Sequence, residues 1–144
     1  MQKTNDQITV ATLAAFSAAW NRHDIDALMS YMTDDCVFQT AAGPDACGTR
    51  HVGTEAVRAA FESAWLNFPD AKWINDRHFV QQDLGISEWT FTGTAADGSW
   101  VEADGVDIFT FKDGKIQMKM SFARIAPTFQ QNKRECPRLD LHEI

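Results

Sequence analysis

The chain has 144 residues, 44% hydrophobic and 23% charged, with a formal charge of -7. That length suits one domain with one core. The negative balance argues against nucleic acid or an anionic membrane surface as partner, because both are bound mainly through Lys and Arg.

The opening "MQKTNDQITV" has no apolar h-region and no run approaches the length of a membrane span, so a cytosolic, cytoplasmic protein is expected. Cys36, Cys47 and Cys136 form an odd set without a C-x-x-C pair, which suggests neither a disulfide framework nor a zinc site. Cys36, inside the run "CVF", reads as a small core residue. Five Trp and ten Phe against one Tyr are a heavy apolar-aromatic load, suited to a core or to the lining of an apolar pocket.

In chain order, "TNDQITVATLAAFSAAWN" opens with Thr4 three residues before Gln7, a capping-box pattern, and carries Ile8, Leu13, Phe16 and Trp20 at near-helical spacing. After the tight link "NRHD", Asp24 is placed to cap a short second helix with Ile25, Leu28, Met29 and Met32 on one stripe. "DDCVFQT" reads as a short strand, and "AAGPDACGTRHVG" as a loop. "TEAVRAAFESAWLNFP" then predicts a third helix ending at the residue before Pro69.

From Lys72 the period becomes that of strands: "KWINDRHFV", "GISEWTFTGT", "SWVEADGVDIFTF" and "KIQMKMSFARI", separated by "QQDLG", "AADG" and "KDG". Helices followed by a meander predict an α+β domain over residues 1–125. Three N-terminal helices would pack in the concave face of a strongly curved, mainly antiparallel sheet, a cone-shaped barrel. Residues 126–144 lack periodicity and read as a C-terminal tail, set along the domain or on a partner subunit.

One acid stands out. The two-residue period of "VEADGVDIFTF" sends Asp107 to the face of Val101, Ala103, Phe109 and Phe111. An ionised carboxylate among such neighbours costs several kcal/mol or shifts its pKa.

A two-residue turn at Asp113-Gly114 pairs Phe111 with Ile116, Phe109 with Met118 and Asp107 with Met120. A turn at Asp97-Gly98, or the loop "AADG", places Ile86, Glu88, Thr90 and Thr92 on the same face, with Glu88 opposite Asp107 in the two-residue case. Two adjacent carboxyl groups on an apolar wall would leave one protonated near neutral pH, an acid/base pair. The competing reading has Gly105 as a β-bulge that turns Asp107 outward.

His78 in "DRHFV" is a candidate to orient a ligand, although a strand histidine is more often structural. His23 reads as exposed, and no His pair has metal-ligand spacing, so no metal is expected. Aromatics such as Trp20, Phe61 and Trp65 are more often plain core than ligand cage, yet a cone-shaped cavity between helices and sheet would need such a lining. A nucleophile elbow, a P-loop and a dinucleotide fingerprint are absent.

The segments "AWNRHDIDALMSYMTDDCVF", "HVGTEAVRAAFESAW" and "GVDIFTFKDGKI", in this order, resemble the nuclear transport factor 2-like superfamily, in its branch of ketosteroid isomerases and SnoaL-like polyketide cyclases. The resemblance spans roughly residues 8 to 125. Ketosteroid isomerases use an Asp base, a Tyr donor and a protonated Asp donor in an apolar cone. The resemblance puts the protonated-acid role on Asp107. Thr40 stands at the base position and Phe16 at the phenol position, so those two roles do not carry over.

Two functions are weighed from the sequence. One is a cofactor-free isomerase, cyclase or dehydratase acting on a small apolar carbonyl compound. Asp107 would be the acid or oxyanion donor and Glu88 the base, with Phe16, Trp20, Phe61, Trp65 and Met120 lining the pocket and Thr40 or His78 bonding the ligand. The other is a non-catalytic module for ligand binding or dimerisation. A homodimer is expected through an outer sheet face bearing Trp89, Phe91 and Ile108.

Overall fold

A computed structural model describes residues 7–124. The expected Thr4–Gln7 cap, Cys136 and the tail 126–144 therefore lie outside the described residues. Helix α1 (Val10–Asn21) is instead capped by Thr9, whose hydroxyl and backbone exchange bonds with Thr12. Helix α2 (Ile25–Ser30) starts at Asp24, whose carboxylate accepts from the Ala27 N–H as the sequence predicts. Helix α3 spans Thr54–Asn67 and ends just ahead of the Phe68-Pro69 pair.

Six strands form one curled, unclosed sheet: β1 (Met32–Gln39), β2 (Arg50–Val52), β3 (Lys72–Gln81), β4 (Leu84–Thr94), β5 (Trp100–Lys112) and β6 (Lys115–Ala123). Their order is β2-β1-β6-β5-β4-β3, with every neighbouring pair antiparallel except β1 with β6. The one strand not expected is β2. It lies inside the stretch read as loop, and its three residues are too short to show a period.

The helices fill the concave face. Leu13, Phe16, Trp20, Leu28, Phe61, Phe109 and Ile116 form a continuous buried cluster with Cys36 and Val57. Each large side chain in it contributes about 1.5–3 kcal/mol by leaving water. The Phe16 ring meets Tyr31, Phe61 and Phe109 edge-on at centroid distances of 5.8, 6.4 and 5.9 Å. At the end of α1, the Asn21 amide binds the backbone of Trp73 at both its N–H and its carbonyl. This fastens β3 to the helix and fixes the Trp73 ring against Trp20.

Register departs from the sequence reading at two places, and both follow from single extra residues. The β4–β5 connection has five residues, Ala95–Ser99, closed by the Ala95 N–H on the Ser99 carbonyl and by Asp97 on Ser99. An odd loop reverses the parity that two or four residues would give. Ser87 consequently pairs with Asp107, and Glu88 with Val106.

On β6 a bulge at Gln117 follows the Phe111–Ile116 pair, so Phe109 faces Lys119 and Asp107 faces Ser121. The Gln117 amide is held by Asp35, which also binds Lys112. Met118 and Met120, expected inside, are on the convex face as a result.

Gly105 is no bulge. It pairs with Trp89 in unbroken β4–β5 register, and a Cβ there would run into the indole and lie 2.6 Å from the Phe122 carbonyl oxygen. The glycine thus lets the Trp89 ring lie across β5 on the inner face. Phe91 is inside as well, packed on Phe68 and Trp73. Trp89 and Phe91 are therefore not available to the outer surface proposed from sequence. Ile108 remains on that surface, in a row with Ile86 and Met120.

Candidate functional site

Between α1, α3 and the concave sheet face lies a cavity of about 230 Å³, walled mainly by Leu13, Phe16, Trp20, Phe38, Trp73, Trp89 and Phe109. Ser87, Asp107, Lys119 and Ser121 line it from the sheet, and Ser17, Thr40 and Ser63 add hydroxyls from α1, the residue after β1 and α3. His78, Ser87, Asp107 and Ser121 are successive partners across β3, β4, β5 and β6, with His78 itself outside the lining, and Lys119 is the next inward residue on β6. A second bulge, between Ile74 and Arg77, lets β3 turn both Trp73 and His78 inward.

Asp107 is 7% exposed and lines the cavity, with the inward parity that β5 predicts. Its Oδ1 accepts from the Ser121 hydroxyl at 2.6 Å and from Lys119 Nζ at 3.2 Å, and Lys119 also donates to Ser121 Oγ at 2.7 Å. Asp107, expected from sequence to be a proton-holding donor, is thus an acceptor in an ion pair. Lysine was absent from the sequence reading of the site because strict alternation from Ile116 sends it outward.

The Lys119 side chain is 6% exposed. Its ammonium lies 4.5 Å from the Phe38 ring centroid, 5.3 Å from that of Trp20 and 5.9 Å from that of Phe61. Burial pushes the Lys119 amine below its ordinary value of 10.5, and the adjacent Asp107 carboxylate opposes that push. The aromatic faces offer the cation a further electrostatic partner in place of water.

The other candidates separate clearly. Phe16, Trp20 and Thr40 line the cavity. The Thr40 hydroxyl is engaged by its own loop, donating to the Ala42 carbonyl at 2.6 Å and accepting from the Thr49 N–H at 2.8 Å. Phe61 is fully buried behind the wall. Trp65 lies further back, between Trp20 and His23, whose imidazole stacks on it and binds the Ala71 carbonyl. His23 is therefore partly buried rather than exposed.

His78 faces inward and is bonded at both nitrogens, Nδ1 to Ser87 Oγ at 2.7 Å and Nε2 to Asp76 Oδ2 at 2.8 Å. An Nε2–H given to Asp76 leaves Nδ1 to accept from the Ser87 hydroxyl. Glu88 is excluded from the site: it stands on the convex face and pairs with Arg77 at 2.7 Å. Met120 is on that face too, for the register reason given above.

Among the described residues no group of three His, Cys, Asp or Glu is placed to hold a metal ion, and no helix is long and apolar enough to cross a membrane.

The family model of the SnoaL-like domain matches residues 13–118, which include every residue of this cavity except Ser121 and Lys119. The chain belongs to the SnoaL-like domain family. Solved structures agree on the fold. A candidate polyketide cyclase from Pseudomonas putida aligns with a TM-score of 0.71 at 17% identity, over 81% of this chain and 92% of that one.

An uncharacterised cystatin-fold protein from Novosphingobium aromaticivorans is 26% identical, with a TM-score of 0.66 over 78% and 96% of the two chains. A ketosteroid isomerase-like protein from Catenulispora acidiphila, solved in complex with trimethylamine, gives 0.67 at 14% identity over 76% and 82%. No curated protein matches the chain. The SnoaL-like assignment supports an isomerase- or cyclase-type fold, and the chemistry must be argued from the cavity.

Proposed function

We propose that this SnoaL-like protein is a cofactor-free enzyme of the isomerase, cyclase or dehydratase type, moving a proton on a small apolar carbonyl compound. The observation that carries this reading is the Asp107–Lys119–Ser121 cluster, which holds the charged groups of a largely apolar cavity wall. The Asp107 carboxylate is the base that takes a proton from the carbon next to the carbonyl and returns it elsewhere. Lys119 and Ser121 are donors on hand for the oxygen where negative charge develops. Aromatic walls exclude water, which strengthens each of these interactions. Glu88 has no part in it.

The test is exchange of α-protons. Small cyclic and aryl ketones incubated with the protein in D2O are expected to lose α-proton NMR signal faster than in buffer. Saturable binding without exchange for any of them would favour a non-catalytic ligand-binding module. One observation favours that second reading: Asp107 already has two donors within the protein.

The assembly we propose is a homodimer through the convex face. There Ile86, Ile108 and Met120 form one row and Val106 and Phe122 the next, with Phe79, Leu84 and Phe122 substantially exposed. Sedimentation at micromolar concentration is expected to give twice the chain mass, and a monomer would contradict the dimer.

A further inference from the structure

We infer that Lys119 is a nucleophile that forms an imine with the carbonyl compound the cavity takes. The inference rests on the proposed carbonyl ligand and gives its activation a covalent route.

Three features of the geometry support it. Lys119 lines the cavity, in contrast to Lys72, Lys112 and Lys115, whose side chains are exposed. Its amine is adjacent to a carboxylate able to take its proton, 3.2 Å away, and to a hydroxyl 2.7 Å away able to pass one on. Its surroundings are the rings of Phe38, Trp20 and Phe61, which keep water from competing for the carbonyl carbon. Burial lowers the amine's pKa and so favours the neutral, nucleophilic form against the cation-π attraction of those rings.

The step balances without a further reagent. Lys119 gives a proton to Asp107, and its lone pair forms the C–N bond as the carbonyl π pair moves to oxygen. The nitrogen passes a proton to that oxygen, with Ser121 as relay, giving a neutral carbinolamine. Asp107 returns its proton to the hydroxyl, the C–O bond breaks, and water leaves as the C=N bond forms. The product is a protonated imine, a stronger electron sink than the carbonyl, beside a restored carboxylate that can remove the α-proton.

The experiment is reductive trapping on the full chain. The protein is incubated with 2-tetralone and sodium cyanoborohydride, and the modified lysines are located by peptide mass spectrometry. The expected result is a secondary amine adduct on Lys119, formed about tenfold or more faster than at Lys72, Lys112 and Lys115, the margin of a modest proximity effect. Lys119→Met is expected to remove that adduct and leave the slow surface labelling.

The wild-type map stands without the variant. Labelling of Lys119 no faster than of Lys72, Lys112 and Lys115, or none on Lys119 while tryptophan fluorescence reports saturable binding of the ketone, overturns the inference. α-Proton exchange without trapping on Lys119 leaves the proton-transfer reading standing and removes the imine. Neither exchange nor binding for any ketone removes both.

Discussion

Ser87 stands directly opposite Asp107 in the β4–β5 pairing, and Glu88 one residue on faces the other side of the sheet. Were Glu88 the partner, the cavity would hold two carboxyl groups competing for one proton. With Ser87 there, and with Lys119 brought in by the β6 bulge, it holds one carboxyl group balanced by one ammonium.

The balance makes the pair's members interdependent. Lys119→Met is expected to cost about 3–5 kcal/mol, because the Asp107 carboxyl then remains buried without its cation. Adding Asp107→Asn to that variant is expected to recover at least about 1 kcal/mol relative to additivity. Urea denaturation of the wild type, both single variants and the double variant measures this coupling. Strict additivity would show that the two groups do not sense one another.

Lys119 also sets a pH dependence. A lysine whose folded-state pKa lies below 10.5 binds fewer protons folded than unfolded in the window between the two values. Unfolding then takes up protons, so raising the pH through that window stabilises the fold. The stability of the wild type relative to Lys119→Met should therefore increase as pH rises toward 10.5. A gap that narrows with pH would mean that attraction to Asp107 outweighs burial.

Gly105→Ala tests the seat of Trp89. The added methyl meets the indole and the Phe122 carbonyl, so one of two paired strands or the ring must move. A loss of about 1–3 kcal/mol is expected, with a shift in tryptophan emission as the ring leaves the inner face. Unchanged stability and emission would contradict the close packing described.

The sequence made some of this readable for physical reasons. β5 runs thirteen residues with strict alternation and pairs with β4 without a bulge, so the inward parity of Asp107 follows from counting. The Asp24 cap and the Asp113-Gly114 turn are local: both turn residues have positive φ, 53° and 74°, which Asp and Gly tolerate.

Lys119 was not readable, because its placement depends on the Gln117 bulge, which no local preference announces. One signal was present. On β6, Met118, Met120 and Phe122 alternate with Lys119 and Ser121, and the apolar set was the natural choice for the interior. The curled sheet instead turns that set to its convex face. Likewise Glu88 was misplaced by one residue of loop length, a quantity set by the Ser99 bonds to Ala95 and Asp97 rather than by composition.

The most direct measurement is the α-proton exchange rate of Asp107→Asn against the wild type, on one ketone that the wild type turns over. The variant keeps Lys119, Ser121 and the cavity walls, and its circular dichroism should match the wild type. The account predicts a rate lower by about 100-fold or more, the usual worth of a positioned base. An exchange rate within a few-fold of wild type in the folded variant would contradict it.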